Sequence, residues 1–373
     1  MYNYPRVFYY LRSLLNHANW SHDKLLDYQN KRIRAVVKYA YDHCGFYRQT
    51  FKNLRISPDA ICSIGDLNKL PMIKKSDLQK DYSQIVSDEF NINSLRMLKT
   101  SGSSGDPLKI FLSSKEHEFR MAKMLRANIS CGQKARDKWL VITAPIHLNK
   151  RGGIREFLGV YYPFSVSVFE KPAALVSLIE KYKPNVIEGY SSSLLLLANE
   201  MERRGLKPAD CRLVIGNAEL IDGPSRAYVE RVFGAPFFDQ YASNELESMA
   251  WQCDEKGGYH VDADSLIMQV VDENGDEVAP GEKGDLVFTS LFNYAMPFIR
   301  YSIGDVGILS SEKCSCGRGF PLMKVIEGRK DSFIRFADGK MVSPRVFTIS
   351  MGMFSLYDQV EVFRVVQKDI DQI

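Results

Sequence analysis

Apolar residues first fall into order between positions 33 and 41. Ile33, Val36, Val37, Ala40 and Tyr41 recur at i, i+3, i+4, i+7 and i+8. That spacing paints one stripe along a helix, and the first 60 or so residues read as helical. From about residue 95 the texture changes. Short apolar runs, KWLVITAP (138–145), PNVIEGY (184–190) and CRLVIGNAE (211–219), alternate with helix-like stretches. Alternation of this kind predicts a mainly parallel sheet with crossover helices. From about 258 to 310 the pattern turns to strand and turn: VVDENGDEV sets Asn274-Gly275 between two β-rich runs, and PGEKGDLVFTSL adds a further turn and strand. Glycine and charge break the pattern at EGRKDS (327–332), the one hinge the chain suggests. No internal repeat or low-complexity linker interrupts it.

Composition narrows the picture. The 373 residues suffice for two or three packed units, and contents of 45% hydrophobic and 25% charged residues are ordinary for a globular protein. Lysine and arginine number 49 against 45 acids, a net charge of +4 with no basic run, so nucleic acid is not an expected partner. Wholly apolar runs such as Leu194–Ala198 fall far short of the roughly 20 residues a membrane-spanning helix needs. Arg6 and Arg12 interrupt the apolar start, so no signal peptide is expected. Seven cysteines without a secretory signal suggest reduced thiols and a metal site, in a cytoplasmic enzyme.

Two clusters carry candidate chemistry. In Thr100-Ser101-Gly102-Ser103-Ser104-Gly105-Asp106-Pro107-Leu108-Lys109, the first six residues hold four hydroxyls and two glycines. Glycine lets a backbone approach a ligand closely, and N–H groups and hydroxyls donate to phosphate oxygens. Lys109 adds charge for the same anion. The GxxxxGK[ST] spacing of the NTPase loop is absent, and a plain Ser/Gly loop is the alternative. The second cluster pairs Cys314 and Cys316, with Gly317 for the turn, against Cys253 and His260. Three thiolates and one imidazole satisfy tetrahedral Zn²⁺; buried free thiols are the alternative. Cys44, Cys62, Cys131 and Cys211 show no ligand spacing.

TSGSSGDPLK, NAEL (217–220), DQYASNELE (239–247), IRYSIGD (299–305) and EGRKDSF (327–333) together resemble, in order, the signatures of the adenylate-forming superfamily. KYAYDHCGFYRQTF and GDLVFTSLFNYAMPFIRYSIGD look closest to its phenylacetate–CoA ligase branch, which includes CapK-like proteins of surface-polysaccharide biosynthesis. The resemblance covers nearly the whole chain. It implies an α/β fold: a large adenylate-forming N-terminal domain, 1–327, with parallel-rich sheets. Its parts are a helical segment to about 90, an α/β core at about 91–257 and a β-rich subdomain at about 258–327. Residues 328–373 would hold the hinge and an incomplete α+β C-terminal domain.

The resemblance also assigns roles. Glu245 corresponds to the carboxylate that holds Mg²⁺ against the phosphates of ATP, which suits a cation that prefers carboxylate and phosphate oxygens. Tyr241 lines adenine; Gly216, Asn217 and Glu219 form the turn beside it; Asp305 accepts from the ribose hydroxyls. Arg329 and Asp331 belong to the hinge, the arginine near ribose or phosphate. Tyr190 to Ser193, after a strand, are acyl-pocket candidates, with His147 another by position. Members of the branch look similar around the Cys/His cluster, which favours zinc there.

The implied reaction is ATP-dependent activation of a carboxylic acid as acyl-AMP, then transfer to coenzyme A or an amine, in aromatic-acid or surface-polysaccharide metabolism. In the family a C-terminal lysine approaches the acyl carboxylate. About 40 residues follow the hinge here, and Lys368 does not match, so either the chain is truncated or a partner supplies the group. A nucleotide-binding subunit or degenerate paralogue without turnover is therefore the alternative function. A nucleic-acid-adenylating ligase is disfavoured, since the chain shows neither a KxDG motif nor a basic patch. A second copy of the chain is the protein partner left open; the acid itself is not legible.

Overall fold

A computed structural model describes residues 3–100, 107–148, 159–329, 334–336, 341–342 and 365–369. Helices α1 (Tyr4–His17), α2 (His22–His43) and α3 (Gly45–Leu54) open the chain. Ser21 caps α2, accepting from the Lys24 N–H, and the stripe read from the sequence is its buried face: Ile33, Val36, Val37 and Ala40 are fully buried. Strand β1 (Ile73–Lys74), helices α4 (Lys75–Gln79) and α5 (Tyr82–Ile85), the hairpin β2 (Arg96–Lys99) and β3 (Lys109–Leu112), and helix α6 (Ser114–Ser130) follow. A reciprocal capping box starts α6: Ser113 accepts from the Glu116 N–H, and the Glu116 carboxylate accepts from the Ser113 N–H.

The alternating region then runs β4 (Trp139–Thr143), β5 (Pro163–Ser167), α7 (Pro172–Tyr182), β6 (Val186–Tyr190), α8 (Ser191–Arg203), β7 (Leu213–Asn217) and α9 (Gly223–Phe233). It gives way to β8 (Phe237–Ser243), β9 (Glu247–Gln252), β10 (Tyr259–Val261), β11 (Leu266–Val271), β12 (Lys283–Ser290), β13 (Tyr301–Ser310) and β14 (Leu322–Arg329). The runs read as parallel strands at 138–145, 184–190 and 211–219 are β4, β6 and β7. The Asn274-Gly275 turn is present, with Gly275 at φ 88°, although its far side pairs with β11 only as a bridge, Val271 to Glu277.

Two compact units divide the chain: residues 1–131 with 240–325, and residues 132–239 with 326–373. In the second, β7, β6, β4 and β5 lie side by side and all parallel. Its core is aliphatic. Leu175, Val176 and Ile179 of α7, Leu194, Leu197 and Met201 of α8, and Val229, Val232 and Phe233 of α9 press on Leu140, Ile142, Ile187 and Val214. Gly216 is required within it, since a Cβ there would meet the Phe237 ring at 2.1 Å. The first unit is mainly antiparallel where the second is parallel: β11, β12 and β13 pair in turn, as do β8, β9, β10 and β14, while the short β1 runs parallel to β13. Beneath its helices, Tyr47 is buried with its hydroxyl donating to the Pro297 carbonyl at 2.8 Å and accepting from the Ile299 N–H at 3.1 Å. Among the described residues no helix is long and apolar enough to cross a membrane.

Candidate functional site

Pairing of β2 with β3, from Arg96–Leu112 to Lys99–Lys109, delivers both stems of the hydroxyl-rich turn to one place. The Thr100 N–H donates to the Leu108 carbonyl at 3.0 Å, and the Thr100 hydroxyl accepts from the Leu108 N–H at 2.9 Å. Ser101, Gly102, Ser103, Ser104 and Gly105 themselves lie outside the described residues. Lys109 begins β3, exposed. Its ammonium sits 5.7 Å over the Tyr82 ring, and its N–H donates to the Tyr82 hydroxyl at 3.0 Å.

The turn Asn244-Glu245-Leu246 joins β8 to β9. The Asn244 side-chain amide donates to the carbonyl of Lys99 at 3.1 Å. One hydrogen bond therefore ties the turn holding Glu245 to the residue before Thr100. Two tyrosine–carboxylate pairs then link this turn and β8 to β13. The Tyr241 hydroxyl of β8 donates to Asp305 Oδ2 on β13 at 2.5 Å, and the Tyr301 hydroxyl of β13 donates to Glu245 Oε1 at 3.1 Å. Tyr241 and Glu245 from one motif and Asp305 from another, 60 residues on from Glu245, are thus gathered in one unit. Sequence reasoning passed over Tyr301, although it stands inside IRYSIGD four residues before Asp305, a spacing that puts both on one face of a strand.

It also missed α6. Arg120 donates from Nη1 to the Glu245 carbonyl at 2.9 Å and from Nη2 to the Asn244 carbonyl at 2.8 Å. Lys123 donates to the Leu246 carbonyl at 2.9 Å. The legible signal was three cations, Arg120, Lys123 and Arg126, at three-residue intervals on one helical face.

Asn217 and Glu219 lie in the other unit, at the carboxyl end of β7. The Asn217 amide donates to Glu188 Oε1 at 3.0 Å, and the Trp139 indole donates to Glu188 Oε2 at 3.0 Å. Glu219 accepts at its carboxylate from the Ser192 N–H at 2.8 Å and at its carbonyl from the Ser191 hydroxyl at 3.1 Å. The serines after Tyr190 and the turn after β7 therefore share one edge of the parallel sheet, where open α/β folds place ligands. His147 is exposed, closing a single 3₁₀ turn with Pro145. Arg329 ends β14 with its side chain outside the described residues, as is Asp331; Lys368 is exposed.

The cysteine and histidine cluster is assembled. Ligand atoms of Cys253, His260, Cys314 and Cys316 all lie within 4.8 Å of one another. Cys253 and Cys314 sulfurs are 3.6 Å apart, and His260 Nε2 stands 3.3 Å from the sulfurs of both Cys253 and Cys316. A tetrahedron with Zn–S near 2.3 Å and Zn–N near 2.0 Å has S–N edges of about 3.5 Å and S–S edges of about 3.8 Å, close to these separations. Gly317, at φ 77°, turns the chain after the pair, its N–H donating to the Cys314 carbonyl at 3.2 Å. Burial, aided by the neighbouring thiols, pushes Cys253 up to about 12. Burial, then the charge of Arg318, pushes His260 down to about 4, keeping its imidazole neutral as a ligand requires. Three thiols and one imidazole, all buried but the half-buried Cys316, fit a zinc ion.

No protein-family profile matches the chain. Among curated proteins it is 29% identical over 325 residues to the phenylacetate–coenzyme A ligase of Thermus thermophilus, an alignment covering 84% of this chain and 72% of that one. It is 21% identical over 359 residues to protein CapK of Staphylococcus aureus, covering 94% and 77%. Among solved structures, 2-hydroxyisobutyryl-CoA ligase, held in its postadenylation state with an acyl-AMP, superimposes with a TM-score of 0.77 at 20% identity, over 91% of this chain and 74% of that one. The α/β fold class with a parallel-rich sheet, expected from the motifs, is the one found.

Proposed function

We propose that this chain, similar in sequence to phenylacetate–CoA ligases and to CapK, is an adenylate-forming ligase that activates a carboxylic acid with ATP and passes the acyl group to coenzyme A. The Thermus thermophilus relative is a coenzyme A ligase by name, and the solved neighbour is a CoA ligase by name, in complex with R3-HIB-AMP. The acid carboxylate attacks the α-phosphorus, the bond from that phosphorus to the bridging oxygen breaks, and pyrophosphate leaves with its electron pair. Attack by the thiol sulfur on the acyl carbon then expels AMP. Mg²⁺, when bound, neutralises charge on the departing phosphates.

The chain's residues divide this work. The Thr100–Gly105 turn and Lys109 donate to phosphate oxygens, and Glu245 holds the cation, with Tyr301 fixing one carboxylate oxygen. Asp305 takes the ribose hydroxyls, oriented by the Tyr241 hydroxyl, while the Tyr241 ring lines adenine. For Asn217, Glu219 and Arg329 a role at the nucleotide rests on the motif resemblance alone. Cys253, His260, Cys314 and Cys316 hold structural zinc, which pins β10 to the loop before β14.

The observation that carries the reading is the 3.1 Å bond from Asn244 to Lys99. It brings the acid turn to the stem of the hydroxyl-rich turn in the first unit, as one triphosphate demands. ATP–pyrophosphate exchange against a panel of carboxylic acids tests it. Exchange that depends on one acid and falls about 100-fold in Glu245→Gln supports it. No exchange with any acid and no heat on mixing with Mg·ATP would sink it. For the metal, elemental analysis should find about one zinc per chain, lost in Cys314→Ser; a zinc-free wild-type protein ends that assignment.

A further inference from the structure

The turn that carries Glu245 is held from behind. Its three carbonyls, Asn244, Glu245 and Leu246, all accept from cations of α6: Arg120 takes the first two and Lys123 the third. The Arg120 fork also pairs with the Glu247 carboxylate at 3.1 Å. Glu247 sits at φ 64°, a left-handed conformation a glutamate adopts only at some cost. In the same turn the Leu246 N–H donates to the Ser243 hydroxyl at 3.1 Å, and the Asn244 amide reaches Lys99.

These bonds have a direction. With all three carbonyls drawn toward α6, the Glu245 side chain projects the other way, toward Tyr301 on β13. Both cations are nearly inaccessible to solvent, at 5% and 4% exposure. Taking two cations out of water to bind carbonyls is expensive unless the geometry they impose is needed. Lys123 is further anchored by the Asp262 carboxylate at 3.4 Å, and Asp262 accepts the Trp251 indole N–H at 3.1 Å. The clamp therefore reaches the turn from a rigid, buried base.

We propose that Arg120 and Lys123 are positioning residues for the adenylation step. By fixing the carbonyls of residues 244–246 and the strained backbone at Glu247, they aim the Glu245 carboxylate at the metal–phosphate site. They also hold its turn, through Asn244, against Lys99 at the end of β2. This rests on the function proposed above.

The test uses the full chain with Arg120→Lys, Lys123→Met and, as an exposed cation on the same helix, Lys115→Met. Pyrophosphate exchange is measured while Mg²⁺ is titrated, and the KM for the acid is measured beside it. Arg120→Lys keeps the charge but loses the fork. It should raise the Mg²⁺ concentration for half-maximal exchange about 10- to 100-fold, the usual penalty for disturbing a group that orients a metal ligand, while the acid KM stays within about twofold. Lys123→Met should shift the same parameter less, and Lys115→Met not at all. Thermal melting separates a fold defect from misplacement. If Arg120→Lys and Lys123→Met melt lower but show wild-type Mg²⁺ dependence in the folded fraction, the two residues are structural only and the proposal fails. A wild-type chain without exchange or Mg·ATP binding would instead overturn the parent reading.

Discussion

Helix α6 in the first unit and helix α8 in the second are both pressed against a sheet, yet they bury opposite chemistries. From α8, Leu194, Leu197, Ala198 and Met201 enter an aliphatic layer. From α6, Glu116, Glu118, Arg120, Lys123, Arg126 and Asn128 go inside with only a few apolar neighbours. Arg126 is the extreme: wholly buried, it pairs with Asp262 and donates to Asp264 at 2.7 and 2.8 Å, while His17 of α1 contacts Asp264 at 2.9 Å. Apolar burial is non-directional and tolerates sliding, whereas each of these charges needs its partner at one distance and angle. The second unit is packed for cohesion; the first is packed so that the segment beside Glu245 has one position.

The sharpest way to break this contrast is to remove the arginine. Arg126→Met leaves two carboxylates buried without their partner and should destabilise by about 4 kcal/mol in urea denaturation. Leu197→Ala in α8 leaves only a cavity in an adaptable aliphatic layer, and about 3 kcal/mol is expected. Should the leucine prove much the costlier of the two, the ionic cluster would be dispensable and the contrast empty.

The same contrast explains what the sequence disclosed. The stripe of α2 and the strands β4, β6 and β7 were legible because aliphatic burial writes itself as periodicity. Tyr241, Glu245 and Asp305 were legible as members of motifs, and the cysteine and histidine set by ligand type and spacing. What joins them was not. Nothing along the chain says that Asn244 reaches Lys99 across 145 positions, or that Tyr301 pairs with Glu245 rather than pointing to solvent. Buried cations are hardest to foresee, since Arg120, Lys123 and Arg126 look like the solvated face of an ordinary helix until their partners, 120 or more residues away, are in place. Pairing over such distances is decided by topology, which local pattern does not encode.

A subtler distinction concerns acid. His117 of α6 is pushed down to about 4, by burial first and then by the positive charges of Arg96 and Arg120. An unfolded chain takes up that proton near pH 6.5, so the folded state has an advantage above 6.5 that is lost as pH falls toward 4. Asp264 adds a second, lower step. Burial raises its carboxyl, but Arg126 and the His17 hydrogen bond outweigh that and lower it, so its contribution disappears only as pH drops below about 3.9. The aliphatic layer under α7, α8 and α9 brings no imidazole of this kind. The urea midpoint should therefore fall between pH 7 and pH 5 for the wild-type chain, and fall less for His117→Gln. In hydrogen exchange the pH-dependent loss of protection should appear in α6 peptides before α8 peptides. Parallel decline of wild type and His117→Gln would mean that this buried imidazole does not set the upper acid limb.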